Sequence, residues 1–148
     1  PEPQRQSARA VIPAIITQAL TQPKIRLGLL TPIRDLTFVK DTVEGFIAIA
    51  ECDASVGEVI NIGTGQGITI GELAQTILKL TKSGKEIISD EARVRPEASE
   101  VMRLICQNEK AKRLMNWAPR HTLEQGLRDT VAYLQAHGSQ YKPEAYTV

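Results

Sequence analysis

Apolar residues near the start of the chain recur three or four positions apart, at Ala8, Val11, Ile12, Ile15, Ile16, Ala19 and Leu20. That spacing lines one side of a helix and predicts one over 8–20. Residues 24–30 change period: Ile25, Leu27 and Leu29 alternate with Lys24, Arg26 and Gly28, as in a short strand before a turn at Thr31 and Pro32. A second short strand is expected at 36–39. Three later apolar segments each follow a side-chain oxygen with Glu or Gln three positions on, a pairing that satisfies two open backbone donors at a helix start. They are Asp41 with Glu44 before TVEGFIAIAE, Thr69 with Glu72 before GELAQTILKL, and Thr122 with Gln125 before LEQGLRDTVAYLQ, which is expected to stop at Gly138. Asn108 is expected to cap a short helix running to Met115, and 59–62, 86–88 and 102–105 are candidate strands. The pattern is α/β with more helix than sheet and no internal repeat.

A chain of 148 residues has room for one domain that buries roughly 68–70% of its unfolded surface. Eighteen Lys and Arg against seventeen Asp and Glu leave a net charge of +1 with no long block of either sign, which argues against nucleic-acid or anionic-membrane binding. Cys52 and Cys106 have no second Cys or His at metal-ligand spacing. A reduced, cytoplasmic setting without a metal is expected. No apolar run approaches the roughly 20 residues of a spanning helix, and PEPQRQSARA lacks the apolar core of a signal peptide.

The segment EVINIGTGQGITIGELAQTI, 58–77, imitates a nucleotide-binding turn, because a strand runs into Gly63 and Gly65, a helix follows, and Asp90 ends the next candidate strand. The details disagree with a G-x-G-x-x-G fingerprint. Its third glycine belongs at position 68, where the chain has Ile68. The capping box starts the helix at Thr69, beyond the glycines, and Glu72 adds negative charge where a diphosphate would sit. An ordinary strand-to-helix loop is the alternative.

The run RDLTFVKDTVEG, 34–45, resembles the C-terminal half of NAD-dependent nucleotide-sugar epimerases and dehydratases, which are extended short-chain dehydrogenases. RQSARAVIP (5–13), KIRLG (24–28), VINIGTG (59–65), RPEASEVMRL (95–104) and NEKAKRLMNWAP (108–119) agree with that family in order. The RQSARAVIP, LGLLTPIRD (27–35) and RPEASEVMRL versions look most like sugar 4,6-dehydratases of nonulosonic, legionaminic-type acid synthesis. The resemblance implies a helix-rich partial fold with short strands, corresponding to the C-terminal part of an extended short-chain dehydrogenase without its Rossmann N-terminal half. It implies a substrate-binding part over 1–138 and a tail over 139–148.

By position, the resemblance makes Arg34 and Arg95 the two arginines that hold the substrate's pyrophosphate, a task suited to the always-charged, forked guanidinium. Taken alone, each is an ordinary surface charge. Positions near Val11, Ile25 and Leu27 line the nucleotide site in relatives, with core packing as the alternative, and Asn61 falls at a substrate-side or turn-stabilising position. Asp35 and Asp41 are expected to hold backbone rather than ligand. His121 and His137 lack a Ser, Cys or acid at a useful spacing and read as surface or capping residues. Trp117 reads as an anchor for the last helices, Cys52 as a small apolar residue on the helix from Asp41, and Lys110, Lys112 and Arg113 as a solvated face.

The family's cofactor turn and Tyr-x-x-x-Lys pair lie before the matched region. Tyr133 and Tyr141 are followed four positions on by His137 and Ala145, and Tyr146 by no residue. The expectation is therefore no catalytic residue, no cofactor bound by this chain alone although the complete family uses NAD, and at most a nucleotide-diphosphate sugar as ligand. A truncated gene, a gene cassette or an expressed fragment would account for this, as would one piece of a split or longer dehydratase. A protein that kept the fold and lost the ligand is the third reading. Segment 59–62, lacking its usual sheet neighbours, is expected to be covered in a homo-oligomer or by the missing half.

Overall fold

The structure is a computed structural model that describes residues 10–90, 93 and 100–137. In chain order it contains α1 (Val11–Thr21), β1 (Ile25–Leu27), β2 (Ile33–Arg34), α2 (Val39–Ala50), a 3-10 turn (Asp53–Ser55), β3 (Ile68–Thr69), α3 (Ile70–Leu80), β4 (Ile87–Ser89), β5 (Arg103–Leu104), α4 (Glu109–Met115) and α5 (Leu123–His137). Helix far exceeds strand, as the apolar periodicities predict. β1 and β4 pair in parallel, with Ile25 opposite Ile87, while β2 lies between antiparallel β3 and parallel β5.

The core forms where α1, α3 and α5 converge on β1. Ile15, Ile16 and Ala19 meet Ile25 and Leu27, Leu73, Ala74, Ile77 and Leu78, and Leu127, Val131 and Leu134. The three-four spacing on each helix and the two-residue spacing on β1 supply these positions. Pro13 is buried in the first turn of α1, where its missing N–H removes no helical bond. The Gln18 amide, also buried, accepts from the Arg26 N–H at 2.8 Å and donates to the Arg26 carbonyl at 3.3 Å. One side chain thus closes the strand edge that β4 does not cover. The Lys85 ammonium donates to the Ala19 carbonyl near the C-terminal end of α1, which suits the helix dipole.

The Thr69–Glu72 and Thr122–Gln125 boxes form as expected. Thr69 Oγ1 accepts from the Glu72 N–H at 3.1 Å and the Glu72 carboxylate accepts from the Thr69 N–H at 3.0 Å, and Thr122 and Gln125 exchange bonds at 2.8 and 3.2 Å. The Thr69 hydroxyl, donating to Glu72 Oε2 at 2.7 Å, and then the Thr69 N–H hold the Glu72 carboxyl below its ordinary pKa.

The third box does not form. α2 begins at Val39 with Phe38 as its cap residue, so Asp41 lies inside the first turn and is drawn into a distant contact instead. Residues 36–38 are irregular rather than a strand. Asn108 makes no capping bond; its Nδ2 donates to the Gly63 carbonyl at 2.8 Å. Cys52 lies past the end of α2, its Sγ donating to the Leu114 carbonyl at 3.5 Å. Segment 59–62 belongs to no strand, because a strand exists only by pairing and no part of the described chain pairs with it. The stop expected at Gly138 lies outside the described residues.

Candidate functional site

Arg34 stands on β2, the central strand of its sheet, where β3 and β5 fix the backbone on both sides. Its Nη2 meets Glu100 Oε1 at 2.7 Å, with the two side chains only 22% and 12% exposed, and its Nη1 donates to the Ile33 carbonyl at 2.9 Å. The rest of the guanidinium fork has no partner among the described residues. A half-buried cation is thus neutralised by one carboxylate while keeping donors for an anion.

The next residue organises the loops around it. Asp35 accepts from the N–H groups of Thr64 (3.1 Å), Gly65 (2.8 Å) and Cys106 (3.2 Å), and from the Thr64 hydroxyl. The carboxylate therefore ties the 63–66 loop to the segment after β5, as expected for a residue that holds backbone. The glycines of that loop serve close packing. A Cβ on Gly63 would lie 2.3 Å from Cys106 Cβ, and one on Gly67 would lie 2.5 Å from the Ile33 side chain. Gly65 has φ +73°, a conformation that favours glycine. Burial, with the charges of Asp35 and Glu109, pushes the Cys106 thiol pKa up, so this cysteine is not an activated nucleophile.

Beyond Asp35 a cleft of about 570 Å³ opens between the N-terminal ends of α3 and α5, lined by Leu36, Thr64, Gln66, Gly67, Ile68, Glu72, Pro119, Arg120, His121, Thr122 and Leu123. Its far wall is held by Asp41. That carboxylate, 1% exposed, accepts from the N–H groups of Arg120 (3.0 Å) and His121 (3.2 Å) and lies 2.8 Å from His121 Nδ1. Burial alone would raise the Asp41 pKa. The hydrogen bonds from the His121 ring and the two backbone N–H groups, together with the His121 charge, outweigh burial and leave it below the ordinary value. His121 therefore has an acid partner, contrary to the expectation from spacing; the two are 80 positions apart, and no local signal joins them. Its ring also packs edge-on against Phe38, with centroids 5.0 Å apart.

The expected site residues do not all meet. Val11, Ile25 and Leu27 come together, with Ile25 and Leu27 buried in the core and Val11 packed against it. Asn61 is exposed on the unpaired 59–62 segment. Arg34 is separate from both groups, and Arg95 lies outside the described residues. Glu100, the ion-pair partner of Arg34, and Thr64 were not singled out by sequence pattern. Among the described residues no group of three or more His, Cys, Asp and Glu could hold a metal, and no helix is long and apolar enough to cross a membrane.

The sequence profile of the GDP-mannose 4,6 dehydratase family matches residues 1–130. UDP-glucose 4-epimerase 2 of Arabidopsis thaliana is 35% identical over 102 residues, which make up 67% of this chain and 28% of the epimerase. The solved dTDP-glucose 4,6-dehydratase of Bacillus anthracis, in complex with NAD, superimposes with a TM-score of 0.79 at 30% identity, covering 93% of this chain and 43% of that one. The UDP-glucose 4-epimerase of Thermotoga maritima, solved with UDP-glucose, gives 0.78 at 27% identity, covering 91% and 42%. The chain spans about a third of the length of the curated relatives it matches.

Proposed function

The chain belongs to the nucleotide-sugar epimerase and dehydratase family described by the GDP-mannose 4,6 dehydratase profile, and we propose that it is that fold's C-terminal, substrate-binding part, binding a nucleotide-diphosphate sugar through Arg34 and Arg95. The observation that carries this reading is Arg34 itself: a half-buried guanidinium fixed on a central strand, with donors that have no partner among the described residues. A diphosphate supplies the acceptors such a fork takes in pairs. Val11, Ile25 and Leu27 are proposed to line the nucleotide site, and Asn61 to lie on its substrate side. The binding part is proposed to occupy 1–138 and the tail 139–148, in a cytoplasmic protein.

The 63–67 loop is not proposed as an NAD site. Gly63 is packed against Cys106 and Gly67 against Ile33 and Ile105, and the first-turn donors of α3 include one taken by Thr69, which argues against a pyrophosphate cradle there. Dehydratase or epimerase chemistry is therefore proposed to need NAD and a Tyr-x-x-x-Lys pair from outside these 148 residues, in the same or another polypeptide. The blocks RQSARAVIP and RPEASEVMRL support a 4,6-dehydratase of the nonulosonic-acid type, and a homo-oligomer is proposed to cover 59–62.

Titration calorimetry with UDP, GDP and dTDP sugars tests the binding reading. Heat with at least one sugar nucleotide, lost in Arg34→Ala and Arg95→Ala, is expected; no heat with any, or binding unchanged in the double variant, overturns it. The Arg34–Glu100 ion pair favours a second reading, in which the fold is kept and the carboxylate has taken the ligand's place. In that case Glu100→Gln restores no binding.

A further inference from the structure

The residues proposed to meet the ligand lie on three segments far apart in sequence: Arg34 on β2, Asn61 before the 63–66 loop, and Arg95, which precedes β5 in the chain. One side chain bonds to a neighbour of each. Asp35 follows Arg34 directly, and its carboxylate accepts from the N–H groups of Thr64 and Gly65 at 3.1 and 2.8 Å, just past Asn61. It also accepts from the Cys106 N–H at 3.2 Å, just past β5, and from the Thr64 hydroxyl. Successive side chains of an extended chain leave it on opposite sides, so Asp35 is turned away from Arg34 and is spent on backbone donors. Asn108 braces the same loop, its Nδ2 donating to the Gly63 carbonyl at 2.8 Å.

The strands that this carboxylate joins need such a lock. β2 and β5 are two residues each, against about 5–6 in an ordinary strand, so few ladder bonds hold their register. The Ile33 N–H donates to the Met102 carbonyl at 2.8 Å and the Asp35 N–H to the Leu104 carbonyl at 3.0 Å, and the bond from Cys106 to the Asp35 carboxylate extends the contact past the end of β5. A slip of one residue would carry Glu100 about 3.3 Å along β2. Its ion pair with Arg34, 2.7 Å long, does not survive a displacement larger than itself. We infer that Asp35 is a positioning residue for Arg34: it locks β5 and the 63–66 loop to β2 and so sets Arg34, Asn61 and the residues before β5 at a fixed spacing, without touching the ligand. The consequence for sugar-nucleotide binding rests on the binding reading above, whereas the hold on the Arg34 side chain does not.

Nitrogen–proton correlation spectra of the ligand-free chain test this. The ion pair with Glu100 slows rotation of the Arg34 guanidinium, and its N–H signals are identified by their absence in Arg34→Lys. Asp35→Asn is expected to shift or broaden them as far as Glu100→Gln does. Asp41→Asn, which also strands buried N–H groups but at the far wall of the cleft, leaves them in place. Thr64→Val removes a single bond to Asp35 and gives a smaller shift of the same kind, so the test stands even where Asp35→Asn does not fold. Calorimetry with whichever of the UDP, GDP and dTDP sugars the unaltered chain binds reads the consequence: Kd rises at least about tenfold in Asp35→Asn, as misplacing a binding group by an ångström or so implies, and holds in Asp41→Asn. Arg34 signals unmoved in both Asp35→Asn and Thr64→Val, or moved equally in Asp41→Asn, overturn the inference, and so does an unchanged Kd in Asp35→Asn. A chain that binds none of the sugars overturns the binding reading alone, because the Arg34 signals still decide whether Asp35 holds that side chain.

Discussion

Replacing Asp41 with Asn removes the contact that joins α2 to the start of α5 while hardly changing side-chain shape. Three donors converge on this carboxylate, from Arg120, His121 and the His121 ring, at 2.8–3.2 Å, and only 1% of the residue is exposed. An amide keeps one acceptor and turns the other into a donor, so at least one buried N–H faces another N–H. A hydrogen bond to a charged group contributes about 1.5–3 kcal/mol, and a stranded buried donor costs about 1–3 kcal/mol. The two overlap, and a loss of about 2–4 kcal/mol is expected. At a urea slope of about 1–3 kcal/mol/M the midpoint falls by about 1–2 M. Trp117, the single tryptophan, is buried beside the 117–123 segment, so its fluorescence reports unfolding directly. The pH dependence follows from the lowered Asp41 pKa. A depressed carboxyl pKa contributes stability that is present above the unfolded value, 3.8, and is lost as pH falls through the folded value. The gap between wild type and Asp41→Asn should therefore be full at pH 5–7 and narrow below pH 3.8. A loss under about 0.5 kcal/mol, the range of ordinary surface changes, would refute the reasoning, as would a gap that stays constant into acid.

Asp35→Asn strands one or more of the N–H groups of Thr64, Gly65 and Cys106; a loss of about 2–3 kcal/mol and faster hydrogen exchange at those three amides are expected. Gly63→Ala forces a Cβ to within 2.3 Å of Cys106 Cβ, an overpacking that costs about 1–3 kcal/mol or more; Cys106→Gly in the same chain should recover much of it in thermal melts. Glu100→Gln leaves the Arg34 charge without its counter-ion, lowering stability by about 1–2 kcal/mol. If Arg34 is a phosphate ligand, calorimetry on that variant should show tighter binding of a sugar nucleotide, since the competing carboxylate is gone.

What was legible beforehand was whatever depends on near neighbours in the chain. The capping boxes at Thr69 and Thr122 each require groups only three positions apart, and both form as read. The apolar periods of α1, α3 and α5 and the alternation of Ile25 and Leu27 chose the core, because helical and strand geometry alone determine which side chains share a face. The rest turned on partners far away in sequence. Asp41 and Glu44 have the spacing of a capping box, yet donors some 80 positions later claim the aspartate, and a carboxylate binds whichever N–H groups the fold brings nearest. Arg34 could be recognised as an anion-binding candidate, but its pairing with Glu100, 66 positions on, depends on β5 lying beside β2. Segment 59–62 has the composition of a strand and finds no strand partner among the described residues. A β-strand is completed by hydrogen bonds to another strand, so a chain can encode the propensity locally while only the tertiary structure decides whether the partner is there.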